Sequence, residues 1–213
     1  MLRNGTIPTA AFLVCIGALL LTPAYAVDIM YDTTGSFNGS NPFTQGTLTI
    51  LFSGGVFNVD APNPPDATNA QFGIFTVTGP AIGAQNVNTA FQLSVNQIAP
   101  APGGTEVLDS NKISGRITKS QSKLVVVFSP VANPTLSPTV NPVDGVTPAL
   151  AFSFGSTTYF INEVTPLHPQ LGGATSTING AISAVPEPSF YALTGAGFVT
   201  LVLLAIRKRR HTA

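Results

Sequence analysis

The feature that most constrains this chain is the recurrence of its apolar residues in short alternating runs. An apolar side chain at every second position lines one face of a β-strand, and no window shows a helical period of apolar residues with end caps. Glycine, proline and asparagine, which favour turns, separate the runs. Eight segments are predicted as strands: 47–52, 72–78, 91–96, 113–118, 124–128, 150–154, 158–161 and 177–183. The continuous apolar run 124–128 is typical of a central strand. We therefore predict an all-β domain of eight to ten strands, a single jelly-roll-like β-sandwich.

The N-terminus has the features of a secretory signal peptide. Arg3 precedes an apolar stretch at 10–21, and Ala24 and Ala26 form an A-x-A cleavage site. We predict that residues 1–26 are removed before Val27. Cys15 is the only cysteine, so the exported part cannot form an internal disulfide or use a cysteine nucleophile.

The C-terminal tail, residues 185–213, combines three features in a fixed order. Pro186, Glu187 and Pro188 form an extended strip, because proline disfavours helix at its own position and at the preceding one. An uncharged apolar stretch, 190–206, is long enough for a short membrane-spanning helix. A basic cluster follows it directly and, by the positive-inside rule, places the C-terminus in the cytoplasm. That cluster is Arg207, Lys208, Arg209 and Arg210.

This order of features resembles the PEP-CTERM sorting signal of Gram-negative bacteria. The resemblance covers 185–213 and implies that an integral-membrane cysteine transpeptidase, exosortase, reads the tail near Pro186, Glu187 and Pro188. It also implies that the basic cluster 207–210 acts as the stop signal. The alternative is an ordinary single-pass anchor in which Pro-Glu-Pro has no recognition role. The resemblance gives no information about the ligand of the preceding domain, 27–184.

Charge limits the partners of the exported domain. Five of the nine cations of the chain lie in the two terminal segments, which leaves four cations against eight carboxylates, a net charge of −4. An acidic domain with few charges is not suited to nucleic acid, which requires phosphate-neutralising cations. We therefore predict no nucleic-acid partner.

Catalytic candidates are sparse. The chain has no Gly-x-Ser-x-Gly elbow, and the exported part has one histidine, His168, between Leu167 and Pro169. Two carboxylate pairs could serve a glycosidase: Asp60 and Asp66, which flank a proline-rich loop, and Glu106 and Asp109, which follow a Gly-Gly pair. One histidine without cysteine cannot supply a zinc site. We predict no catalytic residues, no resident metal and no cofactor, with a secreted hydrolase as the weakest alternative.

Two other elements suggest ligands. Calcium would use oxygen-rich segments, with Asp60 and Asp66 or Asp28 and Asp32 as candidate ligands. The four cations lie close together, and we predict a hairpin in which 112–118 and 124–128 are the strands and 119–123 the turn. Its basic face, Lys112, Arg116, Lys119 and Lys123, would contact anionic extracellular polysaccharide, or simply protect a solvated edge from aggregation.

Two proline-rich segments are predicted as loops. Residues 60–66 form a rigid loop, and 129–148 run as an extended polyproline-like chain across the surface. We predict that 129–148 is a solvated crossover between sheets, with a partner-binding strip or a glycan-bearing region as the alternatives.

Together these features predict an exported envelope or extracellular-matrix protein. We expect a structural or adhesive, non-catalytic role, with an inner-membrane-anchored precursor that moves to the cell surface or matrix. The expected partners are an exosortase-like transpeptidase, the inner membrane and extracellular polysaccharide. The alternative is a glycan- or calcium-binding β-sandwich module.

Overall fold

The structure is a computed structural model that describes residues 26–80, 82–169 and 176–185, without the side chains of 111 and 112. Ala26–Val185 forms one compact unit. The described residues form strands, turns and loops and contain no helix. The strands are β1 Val27–Ser36, β2 Phe43–Gln45, β3 Leu48–Ser53, β4 Gly55–Ala61, β5 Thr68–Thr78, β6 Ala84–Ala99, β7 Gly104–Thr118, β8 Leu124–Phe128, β9 Ser137–Val140, β10 Pro148–Phe154, β11 Thr157–Asn162, β12 Val164–Leu167 and β13 Ser176–Ala184.

The strands form two sheets in which every pairing is antiparallel. Sheet I has the order β12-β8-β7-β6-β1-β4, and sheet II has the order β2-β3-β5-β13-β11-β10-β9. The apolar side chains of both sheets form one core cluster, as expected of a β-sandwich. The all-β prediction is confirmed.

The predicted number of strands was too low. All eight predicted segments fall in strands, with only Thr47 of the segment 47–52 outside, in a turn before β3. β8 coincides with the predicted run and pairs on both sides. The sequence reading missed β1, β2, β4, β9 and β12. In β1 the missed signal was alternation, because Ile29, Tyr31 and Thr33 are buried while Met30 and Asp32 are more exposed. Aspartate and threonine at strand positions obscured that pattern.

The proline-rich crossover is more structured than predicted. It does connect the sheets, since β8 lies in sheet I and β9 in sheet II. It is not an extended polyproline segment, because turns close at 129–136 and β9 pairs with β10. Asn133 is buried, accepts the backbone N–H of Asp109 and donates to its carbonyl oxygen. The buried Asn133 side chain therefore anchors the crossover to β7. The prolines by themselves predicted a solvated chain.

The predicted loop 60–66 begins later than expected. Asp60 and Ala61 belong to β4, where Asp60 lies opposite Asp28 and Ala61 opposite Val27. Pairing with β1 continues to the last residue before Pro62, which has no amide hydrogen. The loop therefore occupies only 62–67 between β4 and β5.

The aromatic core is divided into two groups of rings. The phenylalanine cluster consists of rings whose centroids lie 5.0–6.2 Å apart. Its members are Phe37, Phe43, Phe52, Phe75 and Phe91. Gly35 lies against this cluster, because a Cβ there would be 2.6 Å from ring atoms of Phe52 and Phe91. The absence of a side chain at 35 therefore lets the two rings approach β1.

The tyrosine cluster contains both buried tyrosines. Its rings lie 5.1–6.4 Å apart, and its members are Tyr31, Phe57, Phe72, Phe152, Phe154 and Tyr159. The Tyr31 hydroxyl donates to the carbonyl oxygen of Gln71 at 2.8 Å. The Tyr159 hydroxyl donates to Oε1 of the buried Gln97 at 2.9 Å, and Gln97 Nε2 donates to the carbonyl oxygen of Pro100. The two tyrosine hydroxyls and both polar groups of the Gln97 side chain therefore have hydrogen-bond partners.

Candidate functional site

The last described strand, β13, ends next to the tail for which a sorting signal is predicted. β13 lies inside sheet II between β5 and β11, and residues 180–184 are buried. The N–H of Ala184 donates to the Pro62 carbonyl, and that of Val185 to the Ser156 carbonyl. The predicted sorting residues Pro186, Glu187 and Pro188 lie outside the described residues, as do the predicted span 190–206 and the basic cluster Arg207, Lys208, Arg209 and Arg210.

The same holds for the N-terminal features. Ala24 and the rest of 1–25 lie outside the described residues, while Ala26 is exposed at the start of the strand unit. Within the part of the chain that the structure describes, no helix is long and apolar enough to cross a membrane.

The basic hairpin forms as predicted. β7 pairs with β8, and Ile113 and Ile117 are buried while Arg116 is exposed on the opposite face. The turn closes through hydrogen bonds from the Thr118 N–H to the Gln121 carbonyl and from the Lys123 N–H to the Arg116 carbonyl. Arg116, Lys119 and Lys123 are therefore exposed together at one end of sheet I. The side chain of Lys112 lies outside the described residues.

The carboxylates proposed for calcium are arranged differently from either predicted pair. Asp28 lies directly opposite Asp60 across β1 and β4, and both are exposed. Asp32 lies four residues along β1, a distance of about 13 Å for an extended strand. Asp66 lies in the 62–67 loop, where its N–H donates to the Asn63 carbonyl. The described residues contain no group of three or more carboxylate, histidine or cysteine side chains that could hold a metal ion.

The hydrolase candidates do not come together. Glu106 and Asp109 are three residues apart in β7, so their side chains lie on opposite faces of sheet I. Glu106 accepts a hydrogen bond from the Thr135 hydroxyl, and Asp109 accepts one from Gln92 Nε2. His168 is exposed just after β12, and its backbone N–H donates to the Ser176 hydroxyl. Glu106 and Asp109 therefore cannot act as a facing acid and base.

Two shallow clefts adjoin candidate carboxylates, one at Asp32 and one at Asp109. The larger, about 320 Å³, lies where β3 leads into β4 and is lined by Asp32, Thr33, Asn41, Phe52 and Gly54, among others. Both polar groups of the Asn41 side chain are already hydrogen-bonded within the protein: Nδ2 donates to the Phe52 carbonyl, and Oδ1 accepts the Phe52 N–H. The Thr33 hydroxyl is buried without a hydrogen-bond partner. The smaller cleft, about 180 Å³, lies beside Phe91 and Asp109.

The larger cleft offers one charged group, the Asp32 carboxylate. A single carboxylate can accept hydrogen bonds from hydroxyl or amide groups but lacks the several oxygen ligands that calcium needs. The sequence reading missed both this cleft and the opposed pair of Asp28 and Asp60. Alternation in 27–33 and 55–61 was the signal that could have revealed them.

The chain was compared with known proteins in three ways. A scan against protein-family models, a search of curated proteins and a search of solved structures each found no match to this chain.

Proposed function

We propose that this chain is an exported envelope or extracellular-matrix protein with a structural or adhesive, non-catalytic role. An exosortase-like membrane transpeptidase would recognise Pro186, Glu187 and Pro188 after the signal peptide has directed export. The jelly-roll-like topology and the membrane helix 190–206 are parts of the same proposal. The observation that carries it is the order of motif, apolar stretch and basic cluster at the C-terminus.

The boundary of the strand unit supports this proposal. The hydrogen bond from Val185 to Ser156 is the last one described, and Pro186 is the next residue. A motif that begins directly after the last described sheet contact can be cut without breaking any described strand. Proteases accept extended backbone, and the two prolines favour that geometry.

The first test is the C-terminal residue of the mature protein from the native host, determined by mass spectrometry of envelope and medium. We expect a terminus, or a mass adduct, between 186 and 189. Deletion of 186–188 should leave export intact and hold the unprocessed chain in the inner membrane. Pro134→Ala, at an exposed crossover position, is the matched control and should be processed normally. Normal surface release of the deletion variant, or an intact Ala213 in the wild type, would refute the proposal.

The basic hairpin favours a glycan-binding role as the second candidate. Arg116, Lys119 and Lys123 are exposed on one hairpin of an otherwise acidic domain, so an anionic polysaccharide would contact that end. Lys119→Ala with Lys123→Ala should weaken retention on immobilised alginate several-fold at low salt, and salt should remove the difference. Asn88→Ala, on an exposed β6 position, should have no effect. Equal retention of the double variant and the wild type would exclude the hairpin as the contact.

Calcium is the remaining alternative, with the opposed pair Asp28 and Asp60 as its best-placed carboxylates. Like charges directly opposite each other on neighbouring strands repel, and a divalent cation would relieve that repulsion. Calcium should then raise the melting temperature of the wild type but not of Asp60→Asn. If calcium leaves the wild-type melting temperature unchanged, this alternative is removed.

A further inference from the structure

Strand β4 is one of the two edge strands of sheet I. We propose that two copies of this chain pair antiparallel through β4, about a twofold axis at Phe57, and so join two six-stranded sheets into one. The proposal rests on which backbone groups β4 presents outward, on the protection of the other sheet edges and on a register in which β4 complements itself.

Two contacts establish which residues of β4 face away from β1. A Cβ at residue 54 would collide with the Thr33 carbonyl oxygen, so that carbonyl points toward β4, where Thr33 lies opposite Gly55. At the other end of β4 the Asp60 carbonyl accepts the Thr68 hydroxyl at 2.9 Å, so it points away from β1. Hydrogen-bonded pairs alternate along an antiparallel ladder.

The outward-facing residues are therefore the even-numbered ones. Gly55, Phe57 and Val59 bond to β1, while Val56 and Asn58 direct N–H and C=O groups to the free edge. The Asp60 carbonyl is already occupied by Thr68. Two consecutive outward-facing residues can form four hydrogen bonds with a twofold-related copy of themselves.

The other three edges are less suited to pairing. Prolines are present in two of them: Pro166 in β12 and Pro138 in β9. Proline cannot donate to a new strand and is a common device against edge-to-edge association. β2 has only three residues. β4 has seven residues, no proline, no cation and a continuous register with β1.

The register follows from these groups. A twofold axis at Phe57 places Val56 of each copy opposite Asn58 of the other, so outward-facing groups meet. The two Phe57 rings become a cross-strand pair at a non-hydrogen-bonded position, where side chains approach most closely. Asp60 of each copy then lies opposite Gly54 rather than another carboxylate. Val56, 64% exposed in the single chain, becomes partly covered.

The expected dimer is weak. Pairing of one edge per copy buries less than about 1,000 Å² in total, below the range of stable interfaces. The exported domain also carries a net charge of −4, so two copies repel each other. The dimer fraction should therefore rise with protein concentration and with salt, which screens that repulsion.

Cysteine cross-linking of the full-length chain in envelopes of producing cells tests the interface. Cys15 is the only native cysteine, so a Cys15→Ala background leaves each introduced thiol unique. Phe57→Cys should give several-fold more disulfide-linked dimer under mild oxidation than Val164→Cys, a control on the opposite edge strand β12. Equal dimer yields from the two variants would overturn the proposal.

A second pair of variants protects the test against misfolding of Phe57→Cys. Val56→Cys replaces an exposed side chain, and its twofold mate would be a diagonal neighbour about 7–8 Å away, within reach of a short bismaleimide. Adding Asn58→Lys should reduce this cross-link at least several-fold, because a cation at the edge blocks pairing. Asn88→Lys introduces the same charge on exposed β6 and should leave the yield unchanged. A cross-link insensitive to Asn58→Lys would contradict the β4 register.

Discussion

The phenylalanine cluster and the tyrosine cluster fill the same sandwich core by different means. In the phenylalanine cluster the rings pack against one another, so its stability depends on ring shape and close approach. In the tyrosine cluster, Tyr31 and Tyr159 each carry a hydroxyl that must find an acceptor in the core. The phenylalanine cluster is therefore sensitive to the loss of side-chain volume. The tyrosine cluster is sensitive both to the loss of volume and to the loss of a hydrogen bond.

Removing a ring from the phenylalanine cluster should have the largest effect. Phe91 lies at its centre, with centroids 5.0 Å from Phe75, 5.1 Å from Phe37 and 5.2 Å from Phe52. Phe91→Ala should lower the free energy of unfolding by about 3–5 kcal/mol, because a cavity remains in a closely packed region. Urea denaturation measures this. A loss below about 1 kcal/mol would show that the cluster collapses around the gap.

Removing one hydroxyl from the tyrosine cluster should cost less. Tyr159→Phe keeps the ring but leaves Oε1 of buried Gln97 without its 2.9 Å donor. We expect a loss of about 1–3 kcal/mol, the usual penalty for an unsatisfied buried acceptor. Phe152→Leu, which changes a neighbouring ring without touching a hydrogen bond, is the comparison. If Tyr159→Phe is neutral by urea denaturation, the hydroxyl does not contribute to stability.

The tyrosine cluster should make the free energy of unfolding depend on alkaline pH, whereas the phenylalanine cluster should not. Burial raises the pKa of Tyr31 and of Tyr159 well above the ordinary value of 10.0, and for Tyr159 the nearby Tyr31 contributes further. The unfolded chain then loses these protons at lower pH than the folded chain. The contribution of the two tyrosines to the free energy of unfolding is therefore fully present below pH 10 and falls as pH rises above it. The loss is about 1 kcal/mol per tyrosine near pH 10.5.

The double variant Tyr31→Phe with Tyr159→Phe tests this pH dependence. Its unfolding free energy at neutral pH should be lower than that of the wild type, but it should decline less between about pH 9 and 10.5. Phe91→Ala, which leaves both tyrosines in place, should retain the wild-type slope. Parallel curves for the wild type and the double variant would show that other groups control the alkaline transition.

The smallest effect is expected at the rim of the phenylalanine cluster. Phe43 lies on the edge strand β2, is only half-buried and contacts Phe37 at a centroid distance of 6.1 Å. Phe43→Leu should cost less than about 1.5 kcal/mol, because an apolar replacement of similar size can repack. A cost as large as that of Phe91→Ala would place β2 among the essential parts of the core.

Much of the sandwich was predictable because alternation is a strong signal where the buried face is aliphatic or aromatic. Ile113 and Ile117 against Arg116 identified both the hairpin and its basic face. The signal weakened in β1 and β4, where aspartate occupies outward positions and the buried face includes Thr33. The pairing of strands also cannot be read from periodicity. Asp28 and Asp60 are 32 positions apart in sequence, and only the β1–β4 register brings them opposite each other.

The crossover 129–148 shows a different limit. Its prolines indicated an extended path, but Asn133 and Asn141 are buried and bonded to groups on other strands. A polar side chain in a loop can be solvated or can anchor the loop to the core, and composition does not distinguish the two. The partners of such an amide are set by the tertiary structure.

The central position of β13 has a mechanical consequence for a domain held by its C-terminus. A pull on the tail would act along β13, which pairs with β5 over 176–182 and with β11 over 180–184. Force along a strand stretches these hydrogen bonds together, in shear, whereas force across an edge strand would open them one at a time. A force applied through β13 therefore acts on an inner strand of the sandwich. The domain should withstand larger forces applied there than forces that would detach the edge strands β2 or β12.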